Sequence, residues 1–512
     1  MQKSLQLSVD PQIYSDKKEF EKLIAKKSGI DSKYLSYLIK KESLDCRRYP
    51  VYRLEMLVSS NNDLPVTEPQ PFLNVSNSME VIVVGAGPCG LMAALKLIQK
   101  GLRPIIIERG SAVEKRKKDT AQIIRNQTID EESNFCFGEG GAGTFSDGKL
   151  YTRSNKKGNT EEVLRLLVYF GAGKEILYQA HPHIGTDVLS RIVKNIREEI
   201  IRCGGEYRFD TKVADFIVKD GTVCGVITSE GEDITASKVI LATGHSASDI
   251  YQLFYDNNWL IEPKPFAMGV RVEHPQAMIN EIQYHNKDSR QFLPPAEYTL
   301  TANNAGRGIF SFCMCPGGTV VPTPDKEGIM VVNGMSNSSR SGQFANSAAV
   351  VTVNEHDAEE FNAFGALKLL KLQQKWEQKM YFDKLICPAQ RLDDFIKGKE
   401  SSSLASGSYK PGLVAWDMQQ RLPDFVCENL KAGFNEFNRK MKGFITQHAN
   451  IIGLESRTSS PVRIPRDPVT MQHPQLKNLY PCGEGAGYAG GITSSAIDGI
   501  NAAKTIAEEL GV

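Results

Sequence analysis

Three glycines near residue 85 form the strongest chemical motif in the sequence. Gly85, Gly87 and Gly90 have the spacing G-x-G-x-x-G and follow directly on the apolar run at residues 81–84. In this pattern the first glycine permits a tight turn, the second lets the backbone approach a pyrophosphate, and the third lets a helix pack close to the strand. The N–H groups at the start of that helix attract phosphate. The motif therefore predicts a dinucleotide site.

A second strand and an acidic residue complete this motif. The apolar run at residues 105–107 leads into Glu108 and Arg109. A carboxylate at the end of the second strand accepts hydrogen bonds from the adenosine ribose, and its charge disfavours a 2′-phosphate. The motif by itself does not distinguish FAD from NAD.

Two distant segments favour FAD. Residues 238–249 form an apolar strand that runs into an Ala-Thr-Gly sequence, and residues 478–503 give a strand, a glycine-rich turn with Glu484, and a helix. The acidic side chain is suited to ribityl hydroxyls, while the turn and the helix start present N–H groups to pyrophosphate and flavin ring. An NAD domain has no need of this third element, so we expect FAD as the cofactor.

A glycine-rich loop at residues 140–150 is expected to pass beside the flavin. Glycines such as Gly141 permit close approach to the cofactor, and Ser146 or Lys149 can hydrogen-bond it. An ordinary surface loop is the alternative.

Two cysteines one residue apart, Cys313 and Cys315, stand before a Pro-Gly-Gly sequence. On an extended strand, Phe310, Phe312 and Met314 share one face and both cysteines share the other. Cysteines placed in this way point in parallel, which is a poor geometry for a mutual disulfide. Zinc would need further ligands in recognisable spacing, which the sequence does not offer. We interpret the stretch as a strand and a turn that line the substrate side of the flavin, and we expect no metal.

The catalytic residues are not assigned by any motif. Arg457 and Arg463 are candidates for clamping an anionic substrate, because their segment leads into the C-terminal strand and a guanidinium fits an anion in a planar fork. Structural ion pairing is the plainer interpretation of both. For a general base the sequence offers only His274, His245 and Glu455, and an isolated histidine is more often structural than catalytic.

These motifs require a fold that brings distant segments together. We predict an α/β protein with a Rossmann-like FAD-binding domain formed by residues 79–256 and 445–512. An α+β substrate domain at residues 257–444 is inserted between the two parts. Residues 1–60 have the pattern of a small β-α-β-β module, and residues 61–78, rich in proline, asparagine and serine, are a linker.

Taken together, the motifs resemble a known family. Residues 79–110, 238–249 and 478–503 look like the three signatures of the glutathione-reductase-type FAD fold. Four long stretches add a resemblance to a bacterial family of FAD-dependent dehydrogenases, or NAD(P)/FAD-dependent oxidoreductases: FGEGGAGTFSDGKLYTR, FSFCMCPGGTVVP, NGMSNSSRSGQFANSAAVV and GLESRTSSPVRIPRD. The resemblance covers nearly the whole chain. It is loose at IKKESLDCRR, where the family usually has a small residue in place of Cys46.

The resemblance implies which residues contact FAD, but it supplies no substrate. The implied set is Gly85, Gly87, Gly90, Glu108, Arg109, Val213, Ala242, Gly244, Gly483, Glu484, Gly491 and Ile492. Within it, Val213 would hold the adenine through its backbone, and Ala242 and Gly244 would lie near the pyrophosphate. The last four residues would lie near the ribityl chain and the ring.

Composition excludes several classes of function. The chain is 41% hydrophobic and 24% charged with a net charge of +1, which gives no general reason to bind nucleic acid or an acidic membrane. Its start lacks the apolar core of a signal peptide, and no run approaches a membrane span. The ten cysteines show no framework spacing, so we expect reduced thiols in the cytoplasm.

We therefore expect an FAD-dependent oxidoreductase, a dehydrogenase that exchanges a hydride between flavin and a small substrate. Among substrate classes, the arginines favour an anion. A disulfide reductase is disfavoured because only Cys136 stands near the flavin loop. Residues 169–176 lack the third glycine of a second nucleotide fold, so NAD(P)H is left open as an electron donor without a domain of its own. The alternative is a flavoprotein in RNA modification, through residues 1–60 with their excess of about four positive charges, or a partner-binding flavin module. The oligomeric state is not predicted.

Overall fold

The structure is a computed structural model that describes residues 2–65, 68–151, 158–285 and 290–512. Two parts of the sequence interpretation lie outside the described residues: positions 66–67 of the predicted linker, and Thr152 and Arg153 at the end of the flavin-loop motif.

The N-terminal module is a three-stranded antiparallel sheet with helices between its first two strands. Its elements are β1 (Gln2–Val9), α1 (Pro11–Ser15), α2 (Lys17–Ser28), β2 (Ser36–Asp45) and β3 (Val51–Ser59). The longer helix begins where the Asp16 side chain accepts backbone N–H groups and ends at Gly29 in the left-handed conformation. The β-α-β-β order is as predicted, with α1 as an added short helix.

The next part of the chain alternates strands and helices. Its elements are β4 (Glu80–Val84), α3 (Pro88–Gln99), β5 (Arg103–Ile107), α4 (Val113–Asn126), α5 (Thr160–Tyr169), α6 (Thr186–Arg202), β6 (Glu206–Arg208), β7 (Val213–Lys219), β8 (Thr222–Thr228), β9 (Asp233–Thr235), β10 (Val239–Leu241) and α7 (Ser248–Asp256).

The remainder is richer in long strands. Its elements are β11 (Glu262–Pro263), β12 (Phe266–Pro275), α8 (Gln276–Tyr284), β13 (Thr301–Asn304), β14 (Arg307–Pro322), β15 (Val332–Met335), β16 (Phe344–Val353), α9 (Lys368–Met380), β17 (Cys387–Arg391), α10 (Leu392–Lys397), β18 (Leu413–Ala415), α11 (Asp424–Lys440), β19 (Asn450–Glu455), β20 (Val462–Arg463), β21 (Leu479–Pro481) and α12 (Ile492–Leu510).

A five-stranded parallel sheet, in the order β21-β10-β4-β5-β6, forms the first layer of the fold. Its strands are apolar almost throughout because both faces are covered. Helices α3, α6 and α12 pack on one face, and α7 with the β7-β8-β9 meander packs on the other. Strands from three distant parts of the chain thus meet side by side. The predicted Rossmann-like α/β fold is confirmed.

An eight-stranded, mainly antiparallel sheet forms the second layer, in the order β13-β14-β16-β12-β19-β17-β18, with β15 paired to β14. Strand β19 lies between β12 and β17, although the sequence interpretation assigned residues 445–512 to the FAD-binding domain. Apolar periodicity cannot assign a strand to one of two sheets, since the choice is made by long-range pairing. We therefore place the end of the substrate domain after residue 455 rather than at 444.

Strand β14 differs from its sequence interpretation. It spans 16 residues and continues through the Pro-Gly-Gly sequence, so the predicted turn is wrong. Its register against β16 shifts twice, between Phe312 and Cys315 and between Cys315 and Gly318. Cys313 has a positive φ of 44°, and the strict alternation of faces is lost there. Bulges of this kind absorb extra residues and bend a strand without removing it from its sheet.

The N-terminal module packs against the rest of the chain through β2. The Glu42 N–H donates to the Tyr178 carbonyl at 2.7 Å, and the Ala180 N–H donates to the Glu42 carbonyl at 2.9 Å. Leu44 and Cys46 contact the core of the second sheet. The module is therefore continuous with the body of the protein by both hydrogen bonds and apolar contacts.

Candidate functional site

A cavity of about 730 Å³ lies between the two sheets. Four segments contribute to its wall: the glycine turn after β4, the loop at residues 141–149, residues 242–250, and residues 310–315 of β14. This volume is in the range expected for a ligand pocket. The described site is therefore assembled from both sheets.

The glycine turn after β4 is a place of close backbone contact. A Cβ atom on Gly85 would lie 2.5 Å from the Ala242 carbonyl oxygen, and one on Gly90 would lie 1.9 Å from the Gly85 carbonyl oxygen. Gly90 does not line the cavity; its role is to let α3 abut β4, as the motif predicted. Gly87 does line it and faces the backbone of Gly141.

Two helices begin at the cavity wall. The N-cap residues of α3 and α12 are Gly87 and Gly491, and neither has a side-chain hydrogen bond to the first turn. Helix starts of this kind leave backbone N–H groups for an anion. A Cβ atom on Gly244, Gly490 or Gly491 would meet nothing within 4 Å, so these wall residues leave open space. The cradle fits the pyrophosphate of a dinucleotide.

Glu108 has a structural role in addition to the ribose contact that the motif predicts. Its buried carboxylate accepts the Ala86 N–H at 2.9 Å and the N–H groups of Gly110 and Gly138 at 3.0 Å each. It therefore ties the glycine turn to two neighbouring loops. Glu108 also lines the cavity, where the ribose contact stays a prediction.

Arg109 and Val213 line the same end of the cavity. The Arg109 guanidinium pairs with Glu132 and with Asp249, the latter at 3.0 Å, and stacks 4.0 Å from the centre of the Phe137 ring. The charge of Arg109 is therefore already neutralised, and its guanidinium group presents a planar surface to a ligand.

The C-terminal signature is only partly at the cavity. Glu484 and Ile492 line it, and His245 Nδ1 lies 3.5 Å from a Glu484 carboxylate oxygen. Gly483 does not line it; its N–H donates to Asp498 at 2.7 Å and supports the turn from behind. Gly483 therefore has a supporting position behind the wall and not the predicted position beside FAD.

Neither arginine candidate is an unpaired cation in the cavity wall that could bind an anionic ligand. Arg457 lines the cavity, but its guanidinium pairs with Asp325 at 2.8 Å and with Glu377 at 3.0 Å. Arg463 lies outside the cavity wall, with its guanidinium 5.4 Å from the centre of the Tyr488 ring. Ion pairing, the plainer interpretation, agrees with the surroundings of Arg457.

The two candidate bases on β12 and β19 are inside the second sheet. His274 is buried, its Nε2 lies 2.8 Å from the Phe444 carbonyl oxygen, and burial lowers its pKa to about 4. Burial raises the pKa of Glu455, an effect that its ion pair with Arg271 opposes. Neither residue lines the cavity.

Arg271 lies behind the cavity wall rather than in it, and no sequence motif predicts the contacts that it makes there. Its fully buried guanidinium donates to the Cys313 carbonyl at 2.6 Å and to Asn346 at 2.8 Å, and it pairs with Glu455 at 3.1 Å. The wall residue Gly334 leaves room for it, since a Cβ atom there would lie 2.2 Å from Arg271 Nη2. Arg271 therefore supports the β14 bulge from behind.

The two cysteines of β14 line the cavity. Cys313 is exposed and Cys315 is buried, and all ten cysteines are free. Burial raises the pKa of Cys315 to about 11, so its thiol is protonated at neutral pH. These are properties of wall residues rather than of a reactive thiolate pair.

The loop at residues 141–149 is fastened to the second sheet. Asp147 accepts from Arg340 Nε at 3.0 Å, and Lys149 Nζ donates to the Met314 carbonyl. Ser146 donates within its own loop, to the Gly143 carbonyl at 2.7 Å. The loop therefore links the nucleotide end of the cavity to β14.

Neither a metal cluster nor a membrane-spanning helix is found among residues 2–65, 68–151, 158–285 and 290–512. No group of three or more His, Cys, Asp or Glu side chains in those ranges is arranged to hold a metal ion. No helix in the described part of the chain is long and apolar enough to span a bilayer.

Two family models match the chain. Residues 79–253 match the pyridine nucleotide-disulphide oxidoreductase family, and residues 265–458 match the FAD-dependent protein, C-terminal domain-like family. Together with the parallel sheet and its cavity, these two matches identify the protein as an FAD-dependent oxidoreductase. The narrower glutathione-reductase-type assignment is not confirmed.

An uncharacterized protein of Clostridium beijerinckii is 39% identical over 532 residues, covering 99% of this chain and 98% of the relative. The chain therefore belongs to the same family as this relative. Among solved structures, a geranylgeranyl bacteriochlorophyll reductase-like protein of Thermoplasma acidophilum has a TM-score of 0.36 at 14% identity over 85% of this chain and 79% of that one. Glycine oxidase of Bacillus cereus has a TM-score of 0.31 at 14% identity over 84% and 98%. Similarities this low carry no information on the substrate.

Proposed function

We propose that this FAD-dependent oxidoreductase exchanges a hydride between the flavin and a small organic substrate held against the second sheet. One observation carries the proposal. The cavity is continuous from the glycine turn at Gly85 and Gly87 to the β14 bulge at Cys313, so a dinucleotide at one end leaves room for a second molecule at the other.

The lining residues support a proposed position for each part of FAD along the cavity. Glu108, Arg109 and Val213 surround the place proposed for the adenosine, and the starts of α3 and α12 face the place proposed for the pyrophosphate. Further along, Glu484 is proposed for the ribityl hydroxyls, with Gly141, Gly491 and Ile492 beside the ring. When bound there, FAD supplies the hydride chemistry, and the chain positions it.

The wall beyond the proposed ring position is suited to a small organic molecule. Phe310, Phe312 and Met314 contribute apolar surface, and Thr299 and Ser311 contribute hydroxyl groups. Such a mixture of apolar surface and a few polar groups is typical of substrate pockets. An anionic substrate is the finer part of this proposal, and a specific residue for it is argued below.

NAD(P)H is proposed only as an electron donor without a domain of its own. The segment at residues 169–176 comprises the end of α5, a short connection and the start of a 3₁₀ turn (Lys174–Leu177). It is not a strand, turn and helix of the nucleotide-binding kind.

Residues 1–60 do not give us a reason to advance the RNA alternative. Several of their cations pair with carboxylates of the same module, including Lys22 with Glu19 and both Arg47 and Arg53 with Asp45. Pairing of this kind reduces the positive charge that is free to contact RNA phosphates. With ten free cysteines, the cytoplasm stays our proposed location.

The test is spectroscopic. The purified protein, reconstituted with FAD if needed, is mixed anaerobically with hydroxy acids, amino acids, amines, alcohols and NADH, and bleaching of the flavin absorbance is followed. Gly87→Val, whose side chain would enter the space proposed for the pyrophosphate, should lose FAD, whereas Ala363→Val, at an exposed position of the 3₁₀ helix Glu355–Leu367, should keep it. A colourless protein that FAD cannot reconstitute contradicts the cofactor site. A yellow protein that no organic substrate or NADH reduces contradicts the hydride exchange.

A further inference from the structure

Lys149 differs from the other cations of the cavity wall in its partners. Each of the others has a carboxylate nearby: Arg109 and Lys212 share Glu132 and Asp249, Arg457 has Asp325 and Glu377, and His245 has Glu484. Within the described ranges, no carboxylate oxygen lies within 4.0 Å of Lys149 Nζ. The nearby Glu297 is hydrogen-bonded with His181 instead. Lys149 therefore brings to the wall a positive charge that no carboxylate of the described residues contacts directly, although this charge helps to lower the pKa of Glu297.

The β14 bulge holds this lysine at the cavity. Pairing with β16 skips from Phe312 to Cys315, and each of the two intervening carbonyls accepts from a cation. Cys313 O accepts from the buried Arg271, and Met314 O accepts from Lys149. An ammonium group has three N–H donors, and this contact uses one. Among the described residues no second acceptor contacts Lys149 Nζ, so its other two N–H groups can serve a ligand.

The residues of β14 that line the wall beside Lys149 are uncharged. Phe310, Phe312 and Ser311 carry no charge, and the one acid of the adjoining loop, Asp147, is paired with Arg340 at 3.0 Å. An ammonium group that no carboxylate contacts directly can form a charge-assisted hydrogen bond with a ligand anion. The arrangement matches a molecule with an anionic head and an apolar body.

We propose that Lys149 binds the carboxylate of the substrate, whose apolar part packs against Phe310 and Phe312. One unpaired lysine matches a monoanion, whereas a phosphate dianion would favour a second cation or a guanidinium fork. The inference rests on the proposed function, because it places the substrate at the β14 end of the cavity.

The test measures binding rather than turnover. The FAD-loaded protein is titrated with acetate, butyrate and benzoate, and with the neutral analogue benzyl alcohol, by calorimetry and by the flavin difference spectrum. We expect Lys149→Met and Lys149→Gln both to weaken the binding of benzoate at least about tenfold, the scale of one charge-assisted hydrogen bond, and to leave benzyl alcohol unchanged. Lys174→Met, on an exposed turn outside the cavity, is the matched control and should bind as the unchanged protein does.

The two Lys149 variants distinguish the effect of losing the positive charge from the effect of losing the hydrogen bond to the Met314 carbonyl. Gln keeps an N–H donor for the Met314 carbonyl but has no charge, so binding that survives in Lys149→Gln and fails only in Lys149→Met would overturn the proposal. The absence of any carboxylate binding to the unchanged holoprotein would also overturn it. Failure of the proposed function is distinguishable, because it appears as a protein without FAD or as a flavin that no organic substrate or NADH reduces.

Discussion

The two ends of the cavity are built by different means. At the nucleotide end, backbone lies against backbone, and the side chains that matter are the absent ones of Gly85 and Gly90. At the β14 end, an irregular strand is held in place by the side chains of Arg271 and Lys149, which come from other parts of the chain. The first end depends on room for close packing and the second on buried charge. The two ends should therefore fail differently when they are changed.

The largest effect is expected at the nucleotide end, from Gly90→Ala. The added Cβ atom would lie 1.9 Å from the Gly85 carbonyl oxygen, so α3 must move away from β4. We expect a loss of at least about 4 kcal/mol in the free energy of unfolding, or no folded protein. The control is Gly490→Ala, whose Cβ atom meets open space, and which should stay within about 1 kcal/mol. Equal midpoints of urea unfolding for the two variants would contradict this account of the glycine motif.

At the opposite end, Arg271→Met tests the buried charge. It leaves the Glu455 carboxylate without its partner at 3.1 Å, which should cost about 3–5 kcal/mol in the free energy of unfolding. The double variant Arg271→Met/Glu455→Leu removes both charges and should recover at least half of the loss, by the same measurement. Because a carboxyl can neutralise itself by taking up a proton, the loss in the single variant should shrink as the pH is lowered. A double variant no more stable than the single one would argue against a charge-based support of β14.

A smaller effect is expected from Glu108→Gln, which tests whether the nucleotide end also depends on a charge. The amide can no longer accept the N–H groups of Ala86, Gly110 and Gly138 together, which should cost about 1–3 kcal/mol in the free energy of unfolding. FAD should then be lost more readily on desalting. Glu230→Gln, at an exposed turn, is the control. Unchanged unfolding and flavin content would show that the carboxylate charge is dispensable.

The smallest effect concerns the contact between His181 and Glu297 near the β14 end. The hydrogen bond with Glu297 raises the pKa of His181. The pair therefore stabilises the fold fully below the ordinary histidine pKa, and this contribution is lost as the pH rises through the raised value. The ring is largely exposed, with 62% of its side chain accessible, so screening should limit the gain to about 0.5 kcal/mol. His181→Gln should melt slightly lower than the unchanged protein at acidic pH and equally at alkaline pH. A difference in melting temperature that stays constant across pH would contradict the assignment of this effect to the His181–Glu297 pair.

The arginine candidates show where reading residues one at a time fails. Arg457 reaches the cavity as expected, yet Asp325 and Glu377 neutralise it there. These partners lie 132 and 80 positions away along the chain. A sequence shows that a guanidinium is present but not which carboxylates the fold will bring to it. Whether a charge is free for a ligand was therefore decided by tertiary contacts.

By itself, the sequence determined the parallel sheet with its glycine turn and the β-α-β-β order of the N-terminal module. Both follow from constraints between residues a few positions apart, such as the contact of Gly90 with Gly85, and local patterns record such constraints. Only the tertiary structure decided the sheet to which β19 belongs, the β14 bulge and the partners of its carbonyls. Arg271 reaches Cys313 across 42 positions and Lys149 reaches Met314 across 165. Pairings at such separations leave no periodic trace in the chain, because they depend on how whole layers pack.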